Sequence, residues 1–442
     1  MSRSTAHPFE SHPHRTFFRL TLPVMASLVV EPLAGVVDTA FVERLGVAPA
    51  AALGAATALL SSSLWLFNFL GIGTQTEVAR GSGVGDLPRA RQGASLALVL
   101  SLIIAIAYAA ALALAAEPLA AFMSEDLRVQ GDTVTYLHIR LLGAPAMLVT
   151  LAAFGALRGL QDMRTPLWVA AIITALNVVL DPILIFGWGG VPALGIAGAA
   201  WATVASQLLG MGLALLAVRS RLGLVSRLDW RRSRALLRVG RDMIVRTGAL
   251  LLFLLLATRT ALQAGAEAGA AQQALRQVWI LLAFLLDAYA TAGQTLIGYF
   301  RGAERLDAAR HVARVACIWG LASGLALVGV LLAVENPVMA LLVPPSAASW
   351  FHSAWLFCAL AQPMNALSFV TDGIHWGTGD YAYLRNAMLA STAIGLGGLA
   401  LIDPASPDAL LQVWLVTGAW TTSRAIFGLA RIPYGPLRRS SL

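Results

Sequence analysis

The sequence predicts an all-α polytopic membrane protein: twelve transmembrane helices in two six-helix bundles related by a pseudo-twofold axis. Three observations predict it: the composition, the segregation of arginine between alternate loops, and an internal repeat. Of 442 residues, 58% are hydrophobic and only 12% charged, and mean hydropathy is +0.73. Soluble domains carry roughly 25% charged residues. The 40 glycines are scattered rather than clustered, which excludes a low-complexity chain.

A bilayer core takes about 20 apolar residues per helix. Hydropathy places such runs at 16–43, 50–78, 92–116, 130–155, 166–187, 195–218, 236–263, 268–299, 311–334, 349–376, 384–402 and 408–430. An even number of spans puts both termini on one side. Alternate connections, counted from the amino terminus, collect the cations: Arg3 and Arg15; Arg80, Arg89 and Arg91; Arg158 and Arg164; the run Arg219 to Arg234; Arg301, Arg305 and Arg310; Arg385; and Arg431, Arg438 and Arg439. The opposite set holds mainly Glu117, Glu125, Asp126, Glu335, Asp403 and Asp408, with Arg44 and Arg128 as exceptions. Positive charge stays on the cytoplasmic side, so both termini are expected there, and the inner membrane of a bacterium is the expected location. This asymmetry absorbs the net charge of +8 and removes the motive for nucleic-acid binding.

The chain repeats itself. "GTQTEVARGSGVGDLPRARQGASLAL" (73–98) resembles "AGQTLIGYFRGAERLDAARHVARVAC" (292–317), with Gln75 and Gln294 219 residues apart. "RGLQDMRTPL" (158–167) resembles "WGTGDYAYLR" (376–385), with Asp162 and Asp380 218 apart. Two segments with nearly one offset indicate a duplicated unit of six spans, hence a parallel repeat about an axis along the membrane normal. The expected organisation is a cytoplasmic tail (1–15), a first lobe (16–218), an arginine-rich linker (219–235), a second lobe (236–431) and a cytoplasmic tail (432–442).

Several functions are excluded. No lysine occurs, so all 31 cations are arginine. A Walker A site and a Schiff-base lysine are therefore absent. HExxH, CxxC and a nucleophile elbow are missing as well, and no enzymatic activity is expected. Cys317 and Cys358 lie in apolar stretches and read as small buried hydrophobes. "MSRSTAHPFESHPHRTFFRL" lacks an apolar core followed by a small-residue cleavage site, so no cleavable leader is expected. His7, His12 and His14 read as part of a solvated tail rather than a metal site. Trp65, Trp168, Trp188, Trp350, Trp355 and Trp414 fall near span ends, as an aromatic belt would.

Ionisable residues inside spans are costly and mark cavities or ion paths. "FFRLTLPVMASLVVEPLAGVVDTAF" places Glu31 and Asp38 seven residues apart, close to one helical face, with Pro32 between them as a bend or hinge. "ALNVVLDPILIFG" stacks Asn177 and Asp181 at i, i+4, followed by Pro182. The functional reading is an ion or proton site shared with Asp38; the structural alternative is hydrogen bonding between helices. Glu31 suits a cavity or an interface equally. Asp287 could titrate or pair with Arg276, and Asp372 reads as a cap or hinge near the cytoplasmic end. Gly155-x-x-x-Gly159 permits close helix approach.

"PLAGVVDTAFVERLG", "LRGLQDMRTPL", "LNVVLDPILIFG" and "GIAGAAWATVASQ", in this order, resemble the multidrug and toxic compound extrusion (MATE) family. "LLDAYATAGQTLIGYFRGA" and "VTDGIHWGTGD" resemble its DinF branch. The resemblance spans essentially the whole chain. It implies a V-shaped secondary transporter that exports organic, often cationic or amphipathic, compounds in exchange for protons or Na⁺. It implies that Asp38 is the protonation site, in a polar cluster with Asn177, Asp181, Thr203 and Tyr136. Glu31, Asp287 and Gln294 join as cavity residues. A departure concerns coupling: the acid that a sodium-linked branch carries about fifteen residues before Asp380 falls near the uncharged Asn365. Proton coupling in the first lobe is therefore expected, with Na⁺ as the alternative ion, no cofactor and no bound metal. The expected partners are small organic molecules and membrane lipids, with the monomer as the working unit. A lipid-linked precursor flippase is the rival transport reading, and a non-transporting membrane receptor or scaffold the rival of a different class.

Overall fold

The computed structural model describes residues 7–438, without the side chains of residues 31–34, 62 and 64. These are helical almost throughout, and no strand occurs among them. Twelve membrane-length segments follow one another: α1 (Pro13–Val42), α2 (Val47–Val84), α3 (Leu87–Leu114), α4 (Leu127–Leu142 with Ala144–Gly159), α5 (Arg164–Phe186) and α6 (Ile196–Arg221); then α7 (Ser233–Gln263), α8 (Ala266–Gly302), α9 (Leu306–Leu342), α10 (Pro345–Leu360 with Gln362–Thr378), α11 (Tyr381–Ala400) and α12 (Ala409–Tyr434). Eight of the described helices are long and apolar enough to cross a bilayer, and ten when the two bent pairs, α4 and α10, each count as one. α11 and α12 complete the expected twelve.

Chain contacts divide the molecule into two units. The first is Ala26–Gly240; the second is Met1–Met25 together with Arg241–Leu442. The division falls inside α1, so the beginning of that helix clusters with the second unit rather than with the lobe that starts at residue 16 in the sequence reading. The arginine-rich linker belongs to the first unit and is pinned on α3. Arg91 Nε donates to the Leu222 carbonyl at 2.8 Å, Gln92 Nε2 to the Arg227 carbonyl at 2.7 Å, and the Val225 amide to Ser95 Oγ at 3.1 Å.

The duplication is written into the packing of each unit. In the first, a methyl group placed on Gly159 of α4 would lie 2.7 Å from the carbonyl oxygen of Gln75 in α2 and 2.8 Å from Cβ of Val78. In the second, one on Gly377 of α10 would lie 2.7 Å from the carbonyl oxygen of Gln294 in α8 and 3.0 Å from Cβ of Ile297. One turn earlier, Gly155 abuts the Gly71 backbone and Gly373 the Ala290 backbone. Backbones this close tolerate only hydrogen at the crossing. Proline repeats too. Pro145 and Pro363, 218 residues apart, open the second halves of α4 and α10, where the helices bend by 46° and 49°. Each ring removes one ladder N–H and crowds the preceding turn. Finally, Asp162 before α5 pairs with Arg221 at 3.2 Å, and Asp380 before α11 pairs with Arg431 at 2.9 Å.

Three sequence readings need correction. The amino-terminal segment is not a free solvated tail. Pro8–Ser11 forms a short helix whose His7 side chain accepts from the Phe9 amide at 3.1 Å while Glu10 accepts from the His7 amide at 3.1 Å. Phe9 is buried against Phe300 and His311, His7 stacks 4.7 Å from Tyr299, and Glu10 pairs with Arg305. Trp319 Nε1 donates to His14 at 3.0 Å. The apolar Phe9 supplies the docking energy, and the histidines serve as caps and ring contacts. Second, Trp355 and Trp414 are core residues, not belt residues: both are buried, donating to the Leu331 carbonyl (3.1 Å) and to Gln272 (2.9 Å). Trp168 and Trp188 do face outward. Third, Asp372 is neither cap nor hinge, as described below.

Two outcomes follow from this packing. Gly377→Ala should lower the melting temperature of the purified protein, by an overpacking cost of about 1–3 kcal/mol, whereas Gly397→Ala, with open space around it, should leave it within error. Arg305 holds the Glu10 carboxyl below the ordinary carboxylate range, chiefly through their hydrogen bond. Docking stability from this pair is therefore complete above the ordinary Glu value and is lost as pH falls through the lowered one. Amide exchange of residues 9–12 should rise in that acid window, and Glu10→Gln should raise it at neutral pH as well.

Candidate functional site

The polar cluster of the first unit is built on four helices. α1 brings Asp38, half-buried four residues before its end. α4 brings Tyr136 and Arg140, one turn apart. α5 brings Asn177 and Asp181, which are 2% and 0% exposed. α6 brings Thr203 and Gln207. The i, i+4 spacing puts Asn177 and Asp181 on one face. Pro182 lies within α5, and its ring withholds the N–H that would otherwise bond the Val178 carbonyl, loosening the ladder beside that face.

The Asp38 and Asp181 carboxyls face each other within hydrogen-bonding reach, with Asn177 and the Arg140 guanidinium beside Asp38. Tyr136 is buried beside Arg140. Asn177 Nδ2 donates to Thr203 Oγ1 at 3.4 Å, and Thr203 Oγ1 donates to the Ala199 carbonyl at 3.0 Å. Arg140 Nη1 donates to Gln207 Oε1 at 3.1 Å. Four buried oxygens receive no hydrogen bond: Asp38 Oδ1, both carboxylate oxygens of Asp181, and Asn177 Oδ1. Two acids and one guanidinium make a site of net charge −1 when both carboxyls are ionised. Among the described residues no group of three or more His, Cys, Asp or Glu is placed to hold a metal ion.

The remaining candidates lie elsewhere. Asp287 is half-buried on α8 and Gln294 is buried on the same helix, both in the second unit. The side chains of Glu31 and Pro32 lie outside the described residues; the backbone there is part of the continuous α1. Asp372 on α10 is the centre of a buried triad. It pairs with Arg246 of α7, and Arg424 Nη2 of α12 donates to Asp372 Oδ2 at 3.0 Å.

A family model described as MatE matches residues 23–183 and 244–398. The chain belongs to the MATE family. It is 33% identical to Protein DETOXIFICATION 44, chloroplastic, of Arabidopsis thaliana over 427 residues, covering 91% of this chain and 80% of that protein. It is 29% identical to the DNA damage-inducible protein F of Escherichia coli over 409 residues, 89% and 86% of the two chains. Its fold matches a Vibrio cholerae MATE transporter with a TM-score of 0.89 over 97% and 98% of the two chains, at 20% identity. The protein is thus a multi-pass membrane transporter of the multidrug and toxic compound class, acting on small molecules, and not an enzyme.

Within this MATE chain the structure brings Asp38, Asn177, Asp181, Tyr136 and Thr203 together, and leaves Asp287 and Gln294 in the other unit. Sequence reasoning missed Arg140, although "YLHIRLL" shows it one turn after Tyr136 inside an apolar span. It also missed Arg246 and Arg424, which lie within the spans 236–263 and 408–430. Each of these two acid clusters therefore has arginine beside it.

Charge arithmetic orders three variants against the parent. Asp181→Asn removes one of two facing charges and supplies an amide donor, so its melting temperature should equal or exceed that of the parent. Arg140→Met leaves two carboxylates without a cation and should be the least stable of the set. The double variant should recover much of that loss. Differential scanning fluorimetry at neutral pH checks the order.

Proposed function

We propose that this MATE protein is a drug/proton antiporter that exports small organic, cationic or amphipathic compounds. Asp38 and Asp181 are the place where proton and substrate oppose each other. The observation that carries this reading is the pair of facing carboxyls, three of whose buried oxygens, with Asn177 Oδ1 beside them, lack donors. Two adjacent carboxylates in a low-dielectric span cannot comfortably both stay ionised. One proton between them removes the repulsion and supplies the missing donor at once.

The cycle uses residues already in place. Facing outward, the pair takes a proton, which cancels the net −1 charge and frees Asn177 and Thr203 to rearrange. A cationic substrate then loses its attraction to the site and leaves. Facing inward, the proton departs and the site regains its charge for the next substrate. Coupling requires that proton and substrate favour different states, and a single charge that only one of them can neutralise gives that opposition. The proton is the only accessory this scheme requires.

A second reading is favoured by the same oxygens. Asp38 Oδ1, Asp181 Oδ1 and Oδ2 and Asn177 Oδ1 form an oxygen set of the kind a hard cation takes, so Na⁺ could replace the proton. Asn365 weighs against it, since it is uncharged near the position where a sodium-linked branch carries an acid. The arginine asymmetry of the loops and the E. coli relative support a bacterial inner membrane with both termini cytoplasmic. The Arabidopsis relative is named as chloroplastic, which points to a different membrane.

The test is efflux of a fluorescent lipophilic cation from proteoliposomes under an imposed pH gradient, with and without Na⁺, comparing the parent with Asp38→Asn. Transport driven by the pH gradient alone and lost in the variant is the expected result. Full proton-driven transport by Asp38→Asn would sink the scheme, and a strict requirement for Na⁺ would transfer it to the second reading.

A further inference from the structure

The triad in the second unit has a charge left over. Arg246 and Arg424 both donate to Asp372 Oδ2, and the three side chains are only 7%, 4% and 8% exposed. Arginine stays protonated in proteins, so two cations and one carboxylate leave +1 inside an apolar bundle. Three of the guanidinium nitrogens bearing N–H have no partner: Arg246 Nε, Arg424 Nε and Arg424 Nη1.

Nothing nearby cancels that charge. Asp242 is engaged by Arg241 (2.9 Å) and Arg385 (2.6 Å), and Asp380 by Arg431 (2.9 Å). His375, buried one turn from Asp372 on α10, has Nε2 2.9 Å from the Gly428 carbonyl. That contact needs a proton on Nε2 and leaves Nδ1 as an acceptor in the neutral ring, so His375 adds no negative charge. Arg246 lies over the Trp376 ring (5.5 Å), and Arg424 over Trp420 (4.8 Å) and Phe369 (5.8 Å). Ring faces attract a cation but do not neutralise it. An unpaired buried charge costs several kcal/mol.

We propose that Arg246 and Arg424 hold a small inorganic monoanion, of the size and charge of chloride, against the unpartnered edge of the triad. A halide suits the donor set because it accepts from N–H groups on separate side chains without demanding planar geometry, and because its single charge brings the cluster to neutrality. The anion would fix α7, α10 and α12 to one another. It is separate from the Asp38–Asp181 pair and does not depend on how that pair couples.

The experiment is thermal unfolding of the purified protein in detergent, with chloride or bromide exchanged for gluconate at constant ionic strength. It is joined to anomalous diffraction from crystals grown in bromide. Expected are a melting temperature that rises and saturates with halide and bromide density within hydrogen-bonding distance of Arg246 and Arg424. Arg424→Gln should lose the halide dependence, whereas a purely structural triad would lower the melting temperature equally in every anion. Should Arg424→Gln fail to fold, Asp372→Asn serves: it raises the leftover charge to +2 and should make the halide dependence steeper. A melting temperature indifferent to halide, stabilisation by acetate alone, or bromide confined to the surface would each overturn the proposal.

Discussion

The close approach of α4 to α2, and of α10 to α8, is the constraint on which the rest of each unit depends. In both places a pair of glycines one turn apart lets backbone meet backbone. Apolar side chains gain little from meeting each other in lipid, because lipid tails are equally apolar. Dense backbone packing is what remains, and it needs residues without a Cβ. Once these crossings are set, the prolines at 145 and 363 direct the outer halves of α4 and α10 through nearly equal bends. The bend in α4 divides its work: the half before Pro145 carries Tyr136 and Arg140 to the acids of α1 and α5, and the half after it carries Gly155 and Gly159 to α2.

On this duplicated scaffold the two units carry different charge. The first holds two facing acids and one arginine, the second two arginines and one acid. Equivalent frames have therefore been given sites of opposite leftover sign. An excess negative charge invites a proton or a cation, which is a natural basis for exchange against organic cations. An excess positive charge invites an anion and binds three helices together. Neither site needs more than one small ion to reach neutrality, and in a low-dielectric interior that condition governs which ions can stay.

α1 is one of two helices, with α7, inside which the chain passes from one unit to the other. Its first residues belong with the second unit, fastened by Phe9, Phe17 and Trp319, while Asp38 near its end belongs with the first. A change of charge at Asp38 thus acts on a helix whose beginning is anchored among other neighbours.

Much was legible in the residues themselves. Hydropathy placed the twelve spans, most of their ends to within about five residues of the helices, because a bilayer imposes length and polarity on each segment independently of its neighbours. The 218–219 offset exposed the duplication, and the acids at 38 and 181 stood out because charge is rare in such runs. What only the tertiary structure decided was pairing. Arg140, Arg246 and Arg424 lie in plain view in the sequence, yet nothing local says which acid each one faces or that one triad keeps a charge to spare. The docking of His7 to Ser11, and the burial of Trp355 and Trp414, were hidden for the same reason. Periodicity reports a segment's own exposure to lipid or water, whereas ion pairs and ring contacts join residues tens to hundreds of positions apart, and their partners are fixed only when the helices pack.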